Sequence, residues 1–281
     1  MKTSVTSVHL LDGGLLEVES SVVVPGCDFG RRIVVPVQMF LIGTRSGYVL
    51  IDTGNDPAVI TDPLATWGAD LAEASRPRME PHNHPARQLE LLGLSPRDVK
   101  AVVYTHLHHD HAGGGRVFPD AVHVVQRAEH RWALSPDGHA GKAYVPADFT
   151  TAQWTLADGD WLMIPGIQLV MTPGHTPGHQ SVVLWDVPDL GNVILAGDAI
   201  NTASCIEADL PPGIATDTLT AVQSMHRLTA LAAATDALIV TGHDMAQFEA
   251  LPKAPEPLRK PAHHIPGHRG TRGLLDLTAG A

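Results

Sequence analysis

Residues 99–111 of this 281-residue chain have the sequence VKAVVYTHLHHDH. The apolar run at its start is typical of a short buried strand, and the histidine-rich part follows directly. His106 and His108 are two residues apart, so in an extended segment they point to the same side. Asp110 and His111 follow after the chain turns. This mixture of imidazoles and a carboxylate favours a bound zinc-type ion, and a histidine-rich polar loop is the alternative.

Three further motifs follow predicted strands. They are TPGHTPGH at 172–179, GD at 197–198 and TGHD at 241–244. Each adds a candidate ligand near a strand end, namely His175, Asp198 and His243. A single histidine in such a place is more often a hydrogen-bonded structural residue than a ligand. Four such motifs in one chain therefore predict a common metal centre.

The composition limits the function classes. Apolar residues make up 44% of the chain, enough for a sizeable core, and the formal net charge is −11. We see no cluster of lysine and arginine that would bind nucleic acid. Residues 1–5 lack the apolar run of a signal peptide, and no stretch has the length of a membrane span. The sequence thus predicts a soluble cytoplasmic protein without nucleic-acid or membrane partners. Its two cysteines, Cys27 and Cys205, are interpreted as buried or idle thiols.

The order of apolar runs and turn signals predicts an α/β domain over residues 1–255. Strands are expected at 5–10, 34–42, 48–51, 99–104, 122–125, 167–171, 181–185, 193–196 and 237–240, with helices at 85–92, 127–134 and 217–234. Four prolines interrupt residues 55–83, which we interpret as a long insertion with a helical turn or two. Residues 256–281 are predicted to form a C-terminal tail that wraps the surface or is disordered.

Together with Asp52 in the sequence LIDTG, these motifs resemble the metallo-β-lactamase superfamily over about residues 5–255. Within it the chain is most similar to the lactonase branch, which contains N-acyl-homoserine lactonases, γ-butyrolactone hydrolases and pyridoxolactonases. The similarity includes LLDGG at 10–14, Asp62-Pro63 with Trp67-Gly68, and residues 240–256. The resemblance implies a four-layer αββα sandwich with metals at one edge, between the sheets.

The resemblance also implies a role for each motif residue. The first metal would be bound by His106, His108 and His175, the second by Asp110, His111 and His243, and Asp198 would bridge both. The cofactors implied are two Zn²⁺ ions, with Co, Mn or Fe as alternatives. Asp52 and His179 would lie behind the ligands. Asp110 would also be catalytic and pass a proton to the leaving alkoxide.

Two positions depart from the lactonase pattern. Asn201 stands where that branch usually has a tyrosine that contacts the substrate, and we expect a catalytic contact from it. Asparagine can donate a hydrogen bond, but it is shorter and is not a phenolic acid. His109 stands where the branch usually has an apolar residue facing the substrate pocket. It is interpreted either as a pocket residue or as a solvated histidine.

The implied function is hydrolysis of a small-molecule lactone or ester, most similar to opening of N-acyl homoserine lactone (quorum quenching) or γ-butyrolactone rings. A thioesterase of the glyoxalase II type is the alternative enzyme. That type usually has a basic C-terminal helical region, and the helix 217–234 has Arg227 as its only base. A catalytically inactive metal-binding scaffold is the non-enzyme alternative. The resemblance further suggests a homodimer with residues 55–83 at the contact.

Overall fold

A computed structural model describes residues 3–150 and 153–260 as two β-sheets with helices on their outer faces. The strands are β1 (Val5–Glu19), β2 (Arg32–Thr44), β3 (Gly47–Ile51), β4 (Arg76–Arg78), β5 (Val99–Val103), β6 (Val122–Gln126), β7 (Trp154–Ala157), β8 (Trp161–Ile164), β9 (Ile167–Met171), β10 (Gln180–Val187), β11 (Gly191–Leu195) and β12 (Leu238–Val240). The helices are α1 (Pro63–Ala74), α2 (Pro85–Glu90), α3 (His109–Ala112), α4 (Arg127–Leu134), α5 (Ala203–Ala208), α6 (Thr218–Thr235) and α7 (Met245–Ala250). One sheet has the order β4-β1-β2-β3-β5-β6-β7 and the other β12-β11-β10-β9-β8.

The side chains of the central strands alternate between two apolar layers. In β2, Phe40 and Ile42 belong to the core between the sheets, together with Val182 of β10. Leu41 lies on the opposite face, in the same cluster as Leu89 of α2. Successive side chains of a strand point to opposite faces, so strands that are apolar throughout require cover on both sides. This arrangement confirms the predicted four-layer αββα sandwich.

Helix α6 covers the outer face of the second sheet. It begins after Asp217, whose carboxylate accepts a hydrogen bond from the backbone N–H of Thr220 (3.0 Å). Its buried face packs on β11 and β12 and includes Met225, Leu228 and Ala232. The predicted helix 217–234 is therefore confirmed within one residue at each end. In the part of the chain described, no helix combines the length and the apolar character needed to cross a membrane.

The segment 55–83 contains more regular structure than its sequence indicated. Helix α1 occupies twelve of its residues and is kinked at Gly68, where φ is 77°. Asp62 caps this helix by accepting a hydrogen bond from the N–H of Ala65 (2.9 Å). Strand β4 then joins the edge of the first sheet beside β1 and is tied to it by ion pairs with Glu17. Strands β7 and β8 and helices α5 and α7 were also not predicted from the sequence.

Residues 253–258 run along β1 and extend the first sheet. The N–H of Ala254 donates to the carbonyl of Leu10 (2.8 Å), and the N–H of Leu258 donates to that of Val8 (2.7 Å). Leu258 is buried in the core between the sheets. The first residues of the segment assigned to a tail therefore pack against the domain, whereas residues 261–281 lie outside the described part.

Candidate metal centre

The predicted ligands converge at one edge of the sandwich. The histidine-rich motif follows β5 in the first sheet, whereas Asp198 and His243 follow β11 and β12 in the second. Since β11 and β12 are parallel, their carboxyl ends meet at the same edge. The loop between β9 and β10 adds His175. The structure thus brings together seven buried side chains: His106, His108, Asp110, His111, His175, Asp198 and His243.

Three imidazoles form the first group of candidate ligands. Nε2 of His106 lies 3.0 Å from Nδ1 of His108. Nε2 of His175 lies 3.2 Å from the first of these atoms and 3.1 Å from the second. Neighbouring nitrogen ligands of a tetrahedral zinc ion, each about 2.0–2.1 Å from the metal, lie about 3.3 Å apart. The spacing of this histidine triad therefore fits a zinc-type ion.

A carboxylate and two imidazoles form the second group. Oδ2 of Asp110 lies 3.6 Å from Nε2 of both His111 and His243. Asp198 lies between the two groups. Its Oδ1 is 3.2 Å from Nε2 of His111, and its Oδ2 is 3.4 Å from Nε2 of His175. This placement is the one expected of a carboxylate shared by two ions.

The electrostatics of these groups fit cation binding. Nε2 of His111 and Oδ1 of Asp198 are buried, and neither atom has a hydrogen-bond partner within the described residues. Burial, followed by the nearby imidazoles, lowers the pKa of His106 well below its ordinary value, so that ring is neutral and able to coordinate. Burial alone would lower the pKa of His111, but the nearby carboxylates, Asp110 foremost, raise it well above its ordinary value. The site thus favours positive charge, which a pair of divalent cations would supply.

Backbone carbonyls orient two of the imidazoles. Nδ1 of His175 lies 2.7 Å from the carbonyl oxygen of Ile214, and Nδ1 of His243 lies 3.0 Å from that of Pro36. A carbonyl oxygen only accepts hydrogen bonds, so Nδ1 carries the proton in each neutral ring. The lone pair of Nε2 then faces the site, as a metal ligand requires.

Asp52 lies directly behind the candidate ligands. It has a left-handed backbone conformation (φ 56°) directly after β3. Its carboxylate accepts hydrogen bonds from the backbone N–H of Thr105 (2.7 Å) and from the Thr105 hydroxyl (2.8 Å). Nδ1 of His111 lies 2.8 Å from Oδ2 of the same carboxylate. Asp52 therefore links β3 to the histidine-rich motif and orients one candidate ligand.

His179 lies behind Asp198. Its Nε2 accepts the backbone N–H of Asp198 (3.0 Å), and its Nδ1 is 2.9 Å from the Thr172 hydroxyl. Burial, with a smaller contribution from His175, lowers the pKa of His179 to about 3, so the ring is neutral. Gly197 has φ 54°, and a Cβ there would lie 2.9 Å from Nε2 of His179. Gly197 therefore lets the His179 ring approach the backbone closely enough to hold Asp198 in position.

Glu129 of α4 is a positioning residue that was not predicted from the sequence. Its Oε1 accepts hydrogen bonds from the backbone N–H of Leu107 (3.0 Å) and from the Tyr144 hydroxyl (2.9 Å). Its Oε2 accepts one from the Thr176 hydroxyl (2.5 Å). One fully buried carboxylate thus joins the loop of His106 and His108 to the loop of His175. A lone glutamate in an amphipathic helix predicts an exposed position, so the sequence offered no signal for this role.

The candidate ligands open onto a cavity of about 600 Å³. His109 and Asn201 both line it. Its apolar wall includes Leu16, Val18, Val22, Val23, Val35, Leu71 and Ile214. His109 is buried and packs edge-on against Trp67, with ring centroids 4.7 Å apart, so the interpretation of a solvated histidine is wrong.

Known proteins are similar to this chain in sequence and in architecture. The family described as the metallo-beta-lactamase superfamily matches residues 32–243. The N-acyl homoserine lactonase AttM of Rhizobium radiobacter is 35% identical over 257 residues, which cover 89% of this chain and 97% of AttM. An N-acyl homoserine lactonase of Bacillus thuringiensis is 29% identical over 90% of this chain and 99% of its own length.

A solved structure extends the similarity to three dimensions. It is an N-acyl homoserine lactone hydrolase with the product N-hexanoyl-L-homoserine bound at the catalytic metal centre, and it superposes with a TM-score of 0.83. The two are 28% identical, and the superposition covers 91% of this chain and all of the other. The family match spans the histidine-rich motif, the GD motif and His243, whose side chains form the two ligand groups. The chain therefore belongs to the metallo-β-lactamase superfamily, as the resemblance of its motifs implied.

Proposed function

We propose that this chain is a dinuclear metal-dependent hydrolase that opens the ring of N-acyl homoserine lactones. The observation that carries the proposal is the position of Asp198 between two ligand groups that line an apolar cavity. The similar proteins named as N-acyl homoserine lactonases support the substrate class. The structural neighbour with a bound N-acyl homoserine supports the same chemistry.

Two bound cations, Zn²⁺ or alternatively Co, Mn or Fe, would lower the pKa of a water molecule to about 7 and polarise the lactone carbonyl. Asp110 provides a proton carrier beside them. Burial would raise the pKa of Asp110, but the neighbouring imidazoles, that of His111 foremost, lower it to about 2. The carboxylate is therefore ionised at neutral pH and lines the cavity. It can accept the proton of the attacking water and deliver it to the leaving alkoxide.

The cavity suits a substrate with a polar head and an alkyl chain. Its volume lies within the range of small-molecule sites. The candidate ligands form one end, and aliphatic side chains such as Val35 and Ile214 form the wall. Burying a methylene group contributes about 0.8 kcal/mol, so the wall would stabilise a bound acyl chain. A short lactone without a chain would leave this surface exposed to water.

The alternatives are less well supported by the site. Arg227, the base considered for a glutathione thioester, instead donates to the carbonyl of Met171 (2.8 Å) and forms an ion pair with Asp160. An inactive scaffold would not need a complete set of seven converging ligands. The homodimer with residues 55–83 at its contact stays a prediction, to be tested by light scattering of the purified protein.

The test combines chelation with a substrate panel. The chelated protein should be inactive, and Zn, Co, Mn or Fe should restore opening of N-hexanoyl-homoserine lactone. γ-Butyrolactone, an aryl ester and S-lactoylglutathione should react at least about tenfold more slowly. His243→Ala should lose one metal per chain and most of the activity, whereas the exposed histidine in His226→Ala serves as the matched control. Full activity in the chelated protein, or preference for the thioester, would refute the proposal.

A further inference from the structure

The side-chain amide of Asn201 has a fixed orientation. Its Nδ2 donates a hydrogen bond to the carbonyl oxygen of Val23 (2.9 Å). Because a carbonyl oxygen only accepts, the amino group must face Val23 and the amide oxygen must face away from it. Oδ1 is buried and has no hydrogen-bond partner within the described residues. A buried acceptor without a donor is unfavourable, so a donor from a bound ligand would stabilise it.

The position of Asn201 places this acceptor beside the candidate metal ligands. The residue lines the cavity together with Asp110, Asp198 and His243. Its backbone is tied to the ligand set, since the N–H of His243 donates to the Asn201 carbonyl (2.8 Å). Asn201 itself is buried. The carboxamide is therefore held on a rigid part of the wall, near the reacting end of a bound substrate.

An acceptor oxygen at this position has the opposite polarity to a tyrosine hydroxyl group that donates a hydrogen bond. Oδ1 carries partial negative charge, so it would repel the negative charge that develops on the carbonyl oxygen and on the leaving alkoxide. It can pair only with an N–H or O–H group of the substrate. The Asn201 amino group, which could have stabilised an anion, is directed to Val23. We therefore expect Asn201 to accept a hydrogen bond from the substrate and not to donate one.

An N-acyl homoserine lactone carries one N–H group, on the nitrogen attached to the carbon next to the lactone carbonyl. Simple γ-lactones have no such donor. We propose that Asn201 Oδ1 accepts the hydrogen bond of this amide N–H and thereby selects N-acylated lactones over lactones that lack an N–H. The inference rests on the proposed lactone hydrolysis and adds a specificity-determining residue to it. A site that leaves a buried polar group unpaired discriminates strongly against the smaller or altered substrate.

The test uses substrates that differ only at this donor. N-hexanoyl-homoserine lactone is compared with its N-methyl derivative and with the hexanoate ester of α-hydroxy-γ-butyrolactone, and ring opening is followed by NMR. For the wild-type protein we expect kcat/KM to fall at least about tenfold when the N–H is replaced. If the protein opens none of the three rings, the proposed function fails. If it opens all three equally well, the activity stands and this inference is overturned.

Two variants separate the acceptor from the contact with Val23. Asn201→Asp loses the hydrogen bond to Val23 but keeps an acceptor oxygen at this position, so the preference for the N–H substrate should persist. Asn201→Leu has a similar volume and no acceptor, so the preference should fall to near unity. Equal losses on all substrates, with the wild-type preference retained in Asn201→Leu, would show a purely structural role and overturn the proposal. The metal content of each variant is measured in parallel, and the substrate series decides even if Asn201→Leu does not fold.

Discussion

The carboxylate of Asp52 lies 2.8 Å from Nδ1 of His111, and both side chains are buried. This contact sets which nitrogen of the imidazole carries its proton, and it leaves Nε2 facing Asp110 and Asp198. The same carboxylate accepts both hydrogen bonds of Thr105. A residue outside the ligand set thus controls how one ligand presents its lone pair.

We expect Asp52→Asn to weaken binding of one of the two metals by about 10- to 100-fold. The amide has a single acceptor oxygen, so either Thr105 or His111 would face an N–H group instead of an acceptor. Competition with a chelator, followed by elemental analysis, measures the affinity of each metal. Asp62→Asn is the control, because asparagine also caps helices and Asp62 is exposed. Two tightly bound metals in Asp52→Asn would contradict the role given to Asp52.

Glu129→Gln should loosen the first ligand group. Glutamine offers one acceptor oxygen where the carboxylate offers two, so at least one of the buried donors on Leu107 or Thr176 loses its partner. A buried polar group left unpaired costs about 1–3 kcal/mol. We expect a lower melting temperature and less than two metals per chain after dialysis. The exposed Glu249 provides the control Glu249→Gln, and a variant of Glu129 with normal metal content would show that the two loops are positioned independently of it.

The free energy of unfolding should depend on pH through Asp148. Burial, reinforced by the nearby Asp56, raises the pKa of Asp148 to about 8, and its carboxylate oxygens have no partner within the described residues. The unfolded value is about 3.9, so between about pH 4 and pH 8 the folded state binds a proton that the unfolded state lacks. This contribution to stability is therefore present below pH 4 and is lost as the pH rises through 8, by at most about 1.4 kcal/mol per pH unit.

Asp148→Asn should remove this dependence. Urea unfolding of the metal-free protein between pH 5 and pH 9 measures the free energy of unfolding. The difference in this free energy between wild type and variant isolates the contribution of the Asp148 carboxyl group. We expect the variant to gain stability relative to the wild type as the pH rises. Asp120→Asn, at an exposed position, should leave the wild-type profile unchanged. Parallel pH profiles for wild type and Asp148→Asn would show that Asp148 titrates normally in the folded protein.

Ala69→Trp should shorten the acyl chain that the protein prefers. Ala69 is an exposed residue of α1 that lines the cavity, so the larger ring would fill space there without disturbing the core. Each methylene group excluded from the wall loses about 0.8 kcal/mol. We expect the ratio of kcat/KM for decanoyl over butanoyl homoserine lactone to fall at least about tenfold. The control is Ala65→Trp, because Ala65 lies on the same helix but does not line the cavity. An equal fall of this kcat/KM ratio in both variants would show that the acyl chain does not lie beside Ala69.

The candidate ligands could be predicted because their spacing is local. His106, His108, Asp110 and His111 lie within six residues, and each remaining ligand follows a predicted strand. The bounds of α4 and β9 were also predicted correctly. In these parts of the chain, local sequence and tertiary structure favour the same conformation.

The features that the sequence did not reveal depend on contacts between distant residues. Glu129 becomes functional only because α4 packs against both ligand loops, and the Asn201 amide is oriented by a carbonyl 178 positions earlier. The length of helix α1 was underestimated because the prolines of the segment 55–83 and Gly68 disrupt the periodicity that identifies a helix. Its stability comes from the Asp62 cap and from packing of Trp67 and Leu71 against β1 and β2.

The pairing of residues 253–258 with β1 has a consequence for biosynthesis. Strand β1 gains this neighbour only after the ribosome has also synthesised the chain as far as residues 253–258, at roughly 5–20 residues per second. Until then the backbone of Val8 and Leu10 on that side is free to pair with another chain. Chaperones that cover open sheet edges should therefore increase the yield of the folded protein.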